Sequence, residues 1–193
     1  MTEDVRIHPR GRQSGFTLRV WHLAAAGVIA VAIALVAWLV LRDGSPSSSS
    51  GPVPTSSPAV PISAKGLATL GRVGIPIYWL GQKPGFTYEL TKTTDRVYIR
   101  YLPAGVKVGS GDPYLTVGTY PVKNAFAVTS RLAARSDSVR IGIGAGAVAF
   151  YSRKTPTNVY VAFRGSNHQI EVYDPSAEQV QQMVRSGEVK AVS

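Results

Sequence analysis

Ser166, Asn167 and His168, in the stretch "VYVAFRGSNHQIEVYDPS", place a hydroxyl, an amide and an imidazole in three consecutive positions. Those groups can make a nucleophile and its base, but serine catalysis also needs the base within hydrogen-bond reach and a third group to orient it. Neighbours on a tight turn point wherever the turn sends them. Gly165 and Asn167 can supply the positive φ angles of a hairpin loop between the two alternating runs, so the expectation is a loop tip with no carboxylate or oxyanion-hole donor beside it. His168 is the one histidine after residue 22, and the chain contains no cysteine. Metal sites built on His/Cys pairs, disulfides and a lipidated cysteine are therefore not expected.

The other reactive types are sparse. After residue 65 the carboxylates are Glu89, Asp95, Asp112, Asp137, Glu171, Asp174, Glu178 and Glu188, and no spacing selects a facing pair for glycoside hydrolysis. Asp174 reads as a helix cap, and Glu171, alternating with Ile170 and Val172, reads as a residue on the solvated side of a strand. In "GIGAGAVAF", Gly142, Gly144 and Gly146 resemble a phosphate loop only in composition. They run into a β-like segment rather than a helix N-terminus, so a turn or bulge is expected and no cofactor is assigned.

Tyrosine carries more information, since all nine fall after residue 70. Rings on strands pack half-buried sheets, but combined with arginine they also make binding faces. In "RVYIRYL" the alternation puts Val97, Ile99 and Tyr101 on a core side and leaves Tyr98 and Arg100 exposed. Tyr98, Arg100, Tyr151, Arg153 and Tyr160 are the candidate binding face.

The elements that must position these residues read mostly as strands: 75–80, 86–91, 96–102, 114–120, 138–143, 147–152, 158–163 and 168–173. Two helices are expected. One lies in "PVKNAFAVTSRLAAR" with Pro121 in its first turn. The other lies in "DPSAEQVQQMVRSG", capped by Asp174 or Ser176, with a Ser176-to-Gln179 capping-box spacing and a stop at Gly187. The predicted fold class is α+β, a largely antiparallel sheet with two helices.

Before that domain, Val20 to Leu41 form an apolar run without permanent charge, long enough for one transmembrane helix, with Trp21 and Trp38 near its ends. Arg6, Arg10, Arg12 and Arg19 precede it, and by the positive-inside rule they place the N-terminus in the cytoplasm. A cleaved signal peptide is the alternative, against which stand the length of the run and the missing small-x-small pattern. Ser, Pro and Gly dominate the following residues. The expected organisation is a basic cytoplasmic tail over 1–19, a transmembrane helix over 20–41, a disordered stalk over 42–70 and an extracytoplasmic domain over 71–193. The chain of 193 residues carries a formal charge of +10, and residues 66–193 hold fifteen Lys/Arg against eight Asp/Glu. Such a field favours anionic neighbours.

The tract "FTYELTKTTDRVYIRYLP", with "YLTVGTYP" and "AVAFYSRKTPTNVYVAFRGSNHQIEVYDPSAEQVQQMVRSGEV", resembles a family of uncharacterised single-pass membrane-anchored proteins of high-GC Gram-positive bacteria. Its last forty or so residues are also similar to extracytoplasmic domains of anti-sigma-factor-like proteins. A tail of about nineteen residues without cysteine departs from the zinc-type sigma-binding pattern. Neither resemblance carries catalytic residues to this chain.

Taken together, these features predict a non-catalytic binding or sensory module at the cell envelope, with an anionic envelope polymer or a membrane protein as partner. Nucleic acid is not expected at an extracytoplasmic address. The alternatives are an envelope hydrolase using the scattered carboxylates and a structural subunit of a membrane complex.

Overall fold

A computed structural model describes residues 58–193. The segment expected to cross a membrane, the basic tail and stalk residues 42–57 lie outside the described residues. Among the described residues, no helix is long and apolar enough to cross a membrane.

Alternating β-branched and aromatic residues build eight strands of one antiparallel sheet: β1 (Val60–Ile62), β3 (Phe86–Lys92), β4 (Val97–Pro103), β5 (Thr116–Pro121), β6 (Ser138–Ile141), β7 (Ala147–Ser152), β8 (Thr155–Phe163) and β9 (His168–Tyr173). Their order across the sheet is β1-β3-β4-β5-β9-β8-β7-β6. The glycine-rich stretch joins β6 to β7, as a strand-to-strand connection rather than a lead into a helix. A two-stranded ribbon pairs β2 (Tyr78–Trp79) with β10 (Lys190–Ala191). Three helices accompany the sheets: α1 (Ala64–Arg72), α2 (Ala125–Leu132) and α3 (Ala177–Arg185).

One face of the large sheet makes the main apolar core. Val97, Ile99 and Tyr101 of β4 point into it, as their alternation predicts, with Val117, Val159, Val161, Ile170 and Val172 from the neighbouring strands. Leu67 of α1 and Val180 and Val184 of α3 complete it. The short β2 is fastened to the sheet by side chains: Tyr78 N–H donates to Thr119 Oγ1, Leu80 N–H donates to the Tyr101 hydroxyl, and that hydroxyl donates to Gly81 O.

Several elements depart from expectation. Structure begins within the 42–70 stretch read as stalk, because Ser63 accepts from Gly66 N–H at 3.0 Å as an N-cap and Leu67 is fully buried. Ser/Pro-rich composition concealed that short amphipathic turn. The helix predicted from Pro121 starts at Ala125, since Pro121 still pairs with His168 at the end of β5. The intervening residues are tied to the β8–β9 turn, where Asn167 accepts from Val122 N–H and, through its amide oxygen, from Asn124 N–H. The C-terminal helix is capped by Ser176, which accepts from Gln179 N–H at 3.3 Å, while Asp174 accepts from Ser176 N–H at 2.7 Å.

Candidate functional site

Strand register brings a different set of residues together on the opposite face of the sheet. Glu89 pairs with Arg100, Tyr98 with Gly118, Gly118 with Glu171, Tyr120 with Gln169, and Tyr160 with Glu171. Two elements close over parts of this face. Helix α2 packs across β7, β8 and β9, where Gln169 donates to Thr129 Oγ1 at 2.8 Å. Loop 104–115 is fastened near β3 and β4. Between them runs a strip in which Tyr98, Thr116 and Tyr173 are half-buried above buried Tyr120, Asn158, Tyr160 and Glu171.

Glu89 and Arg100 hold the loop. The Arg100 guanidinium donates to Glu89 Oε1, Ser110 O and Asp112 O, each at 2.8 Å, and Gly109 N–H donates to the second Glu89 oxygen at 2.6 Å. Glu89 is only 2 % exposed, so its charge needs this partner. Arg100 also lies over the Tyr114 ring, 5.5 Å from its centroid. The expectation that Tyr98 and Arg100 stand exposed is corrected: both are half-buried, and three N–H donors of Arg100 are spent on the chain itself.

Glu171 solves the same problem without a cation. It is 8 % exposed, and its carboxylate accepts from Tyr120 OH at 2.6 Å, Asn158 Nδ2 at 2.7 Å and Tyr160 OH at 3.3 Å. The reading of Glu171 as solvated is therefore corrected. Strand alternation places it away from the main core, but tyrosines roof that side. Burial first, and then the adjacent Glu171 charge, push the Tyr120 and Tyr160 phenols far above the ordinary tyrosine range, so both remain donors. Gly118 makes the arrangement fit. A Cβ there would stand 2.8 Å from Tyr120 Cε2, so only glycine lets the Tyr120 ring fold back across its own strand toward Glu171. Tyr98 meets that ring edge-on at 5.8 Å, and Arg96 lies over it at 5.6 Å.

Of the five residues expected to share a binding face, Tyr98, Arg100 and Tyr160 lie on this one. Tyr151 pairs with Val159 and packs against the main core on the other side, while Arg153 sits on the β7–β8 turn. At the β8–β9 turn, Gly165 has φ +80°, but Asn167 does not take a positive φ and serves instead as the acceptor described above. Ser166 Oγ accepts from His168 N–H at 3.1 Å and shares a 3.2 Å hydrogen bond with Tyr78 OH. The described hydrogen bonds put no carboxylate on His168, whose pKa burial lowers.

The strip offers tyrosine faces and hydroxyls above a carboxylate already held by three donors. Glu89 and Glu171 stand on strands three spacings apart, about 14 Å between backbones, and each carboxylate is held by its own set of donors. Asn158 and Gly118 escaped the sequence reading, which counted Tyr120 only among the nine tyrosines and placed Glu171 on the solvated side. The available signal was a glycine inside a strand two residues before a tyrosine. Comparisons with protein-family models, curated proteins and solved structures returned no match.

Proposed function

We propose that this chain is a single-pass membrane-anchored protein whose extracytoplasmic domain is a non-catalytic binding or sensory module of the cell envelope, with the tyrosine strip as its ligand face. The observation that carries the proposal is the strip: half-buried Tyr98 and Tyr173 present rings beside a hydrogen-bonded carboxylate, between a pinned loop and a helix. Ring faces with nearby hydroxyls suit a polyhydroxylated envelope component. Supporting the address are the uncharged run Val20 to Leu41 and the arginines before it.

The address is tested by introducing Ser193→Cys, which is unique because the chain has no cysteine, and labelling intact cells with an impermeant thiol reagent. Labelling without lysis is expected; labelling only after lysis overturns the extracytoplasmic reading. The strip is tested with the full chain in neutral nanodiscs and isolated wall-glycan fragments. The Tyr98→Ala/Tyr173→Ala variant should bind about tenfold more weakly. Equal binding removes the strip as the ligand face, and release of new reducing ends from the fragments would overturn the non-catalytic reading.

A further inference from the structure

Between Asp112 and Glu171 the chain carries seven Lys/Arg and a single acid, Asp137. The fold concentrates most of that excess. Arg131 and Arg135 lie at the C-terminal end of α2 and in the turn leading to β6. Arg153 N–H donates to Asp137 O at 2.9 Å, which sets the β7–β8 turn, with Arg153 and Lys154, against that same turn. Arg131, Arg135, Arg153 and Lys154 are all exposed, and the acid among them is Asp137, 3.4 Å from Arg135 with both side chains about half exposed. Arg140 stands behind the group and donates to Ala133 O and Ser130 O, covering the carbonyl end of α2. Two cations elsewhere are spent internally, Arg100 on Glu89 and Lys83 on Glu188, while exposed Lys65, Arg72, Lys92 and Lys107 are spread over α1, the end of β3 and loop 104–115.

We infer that this rim is the docking surface for a linear phosphodiester polymer of the envelope. Its cations are exposed and unburied, so one small anion would gain little at any of them and would be screened by salt. A chain of phosphates engages several at once, and guanidinium takes phosphate oxygens two at a time. A lipid surface fits the rim less well. Among the described residues the large exposed apolar side chains, Val60, Val73, Phe86 and Val108, lie outside it, so the rim itself offers none to insert into a bilayer. The rim also borders β6, whereas the described chain enters at β1, the opposite edge of the sheet, seven strand spacings or about 34 Å away along it. The choice of an envelope polymer rests on the extracytoplasmic reading, which the thiol-labelling experiment tests separately.

The rim is tested by fluorescence anisotropy of labelled poly(glycerol phosphate) with the full chain in neutral nanodiscs. Arg131→Gln/Arg135→Gln/Arg153→Gln/Lys154→Gln should bind more than about tenfold more weakly, and wild-type affinity should fall steeply with added salt. A control with the same charge change, Lys65→Gln/Arg72→Gln/Lys92→Gln/Lys107→Gln, should stay within about twofold of wild type. Wild-type affinity in the rim variant, or an equal loss in the control, overturns the proposal. So does tighter rim-dependent binding of phosphatidylglycerol vesicles or of single-stranded DNA, which would transfer the surface to lipid or nucleic acid. Tyr98→Ala/Tyr173→Ala should retain poly(glycerol phosphate) binding, so failure of the strip and failure of the rim are read independently.

Discussion

The two faces of the large sheet are built from the same strands by different physics. On the face toward α1 and α3, valine, isoleucine and leucine side chains leave water together, and polar atoms among them tie down the chain around β2: Tyr101 OH and Thr119 Oγ1 bond to it directly, and Tyr88 OH accepts from Lys83 N–H just after it. On the other face two carboxylates are buried, Glu89 with a guanidinium and Glu171 with three neutral donors. Apolar packing tolerates approximate fits, whereas a buried carboxylate requires each partner in place. That difference explains why the polar face demands specific residues, including a glycine, while the apolar face asks mainly for alternation.

The largest expected effect lies on the apolar face. Tyr101→Ala removes a fully buried ring and orphans Leu80 N–H, and urea unfolding should show a loss of about 4 kcal/mol. A loss below 1 kcal/mol would mean that this face is less tightly packed than described. Arg100→Ala should follow at about 3 kcal/mol, because Glu89 would keep a buried charge without its cation. Adding Glu89→Gln to that variant should recover part of the loss; no recovery would argue that Arg100 acts through packing alone.

Around Glu171 the effects should be smaller and coupled. Tyr120→Phe deletes one of three donors at a cost of about 1–2 kcal/mol. Gly118→Ala drives a methyl into the Tyr120 ring at a cost of about 1–3 kcal/mol. The double variant Gly118→Ala/Tyr120→Ala should cost less than the two single changes added, and strict additivity would break the proposed contact.

The dependence on pH has a definite sign. Tyr101, Tyr120 and Tyr160 hold their protons more tightly when folded, so melting temperature should fall as pH rises past the ordinary tyrosine value of about 10. Tyr120→Phe should flatten that fall. His168 gives the smallest effect. Its folded pKa is depressed below the ordinary 6.5, so its contribution is present above that value and is lost as pH drops below it. The shallow acid-side decline should vanish in His168→Gln, and an unchanged decline would assign it to other groups.

Much of the strand pattern was readable before the structure, because a half-buried strand repeats every two residues. "HQIEVY" and "AVAFYS" coincide with β9 and β7 residue for residue. The helix over Ala177–Arg185 was readable because its cap chemistry is local. The first helix and strand were not, since Pro61, Ser63 and Gly66 share their composition with the linker before them. The five-residue binding face divided for another reason: alternation assigns a side within one strand, but only pairing joins sides between strands. Tyr151, opposite Val159, therefore falls with the main core, while Tyr160, opposite Phe150, falls with Glu171.

Sequence alone determined the period of strands β3 to β9, the capping of the last helix, the lack of thiol chemistry and the basic excess, because each depends on neighbours along the chain or on simple counting. Tertiary structure alone decided that Glu171 is buried among Tyr120, Asn158 and Tyr160, that Arg100 is consumed by Glu89 and loop 104–115, and that the exposed arginines gather at β6. The physical reason is that register and loop closure bring together residues separated by ten to fifty positions, and no local signal in the chain specifies which of those distant groups will meet.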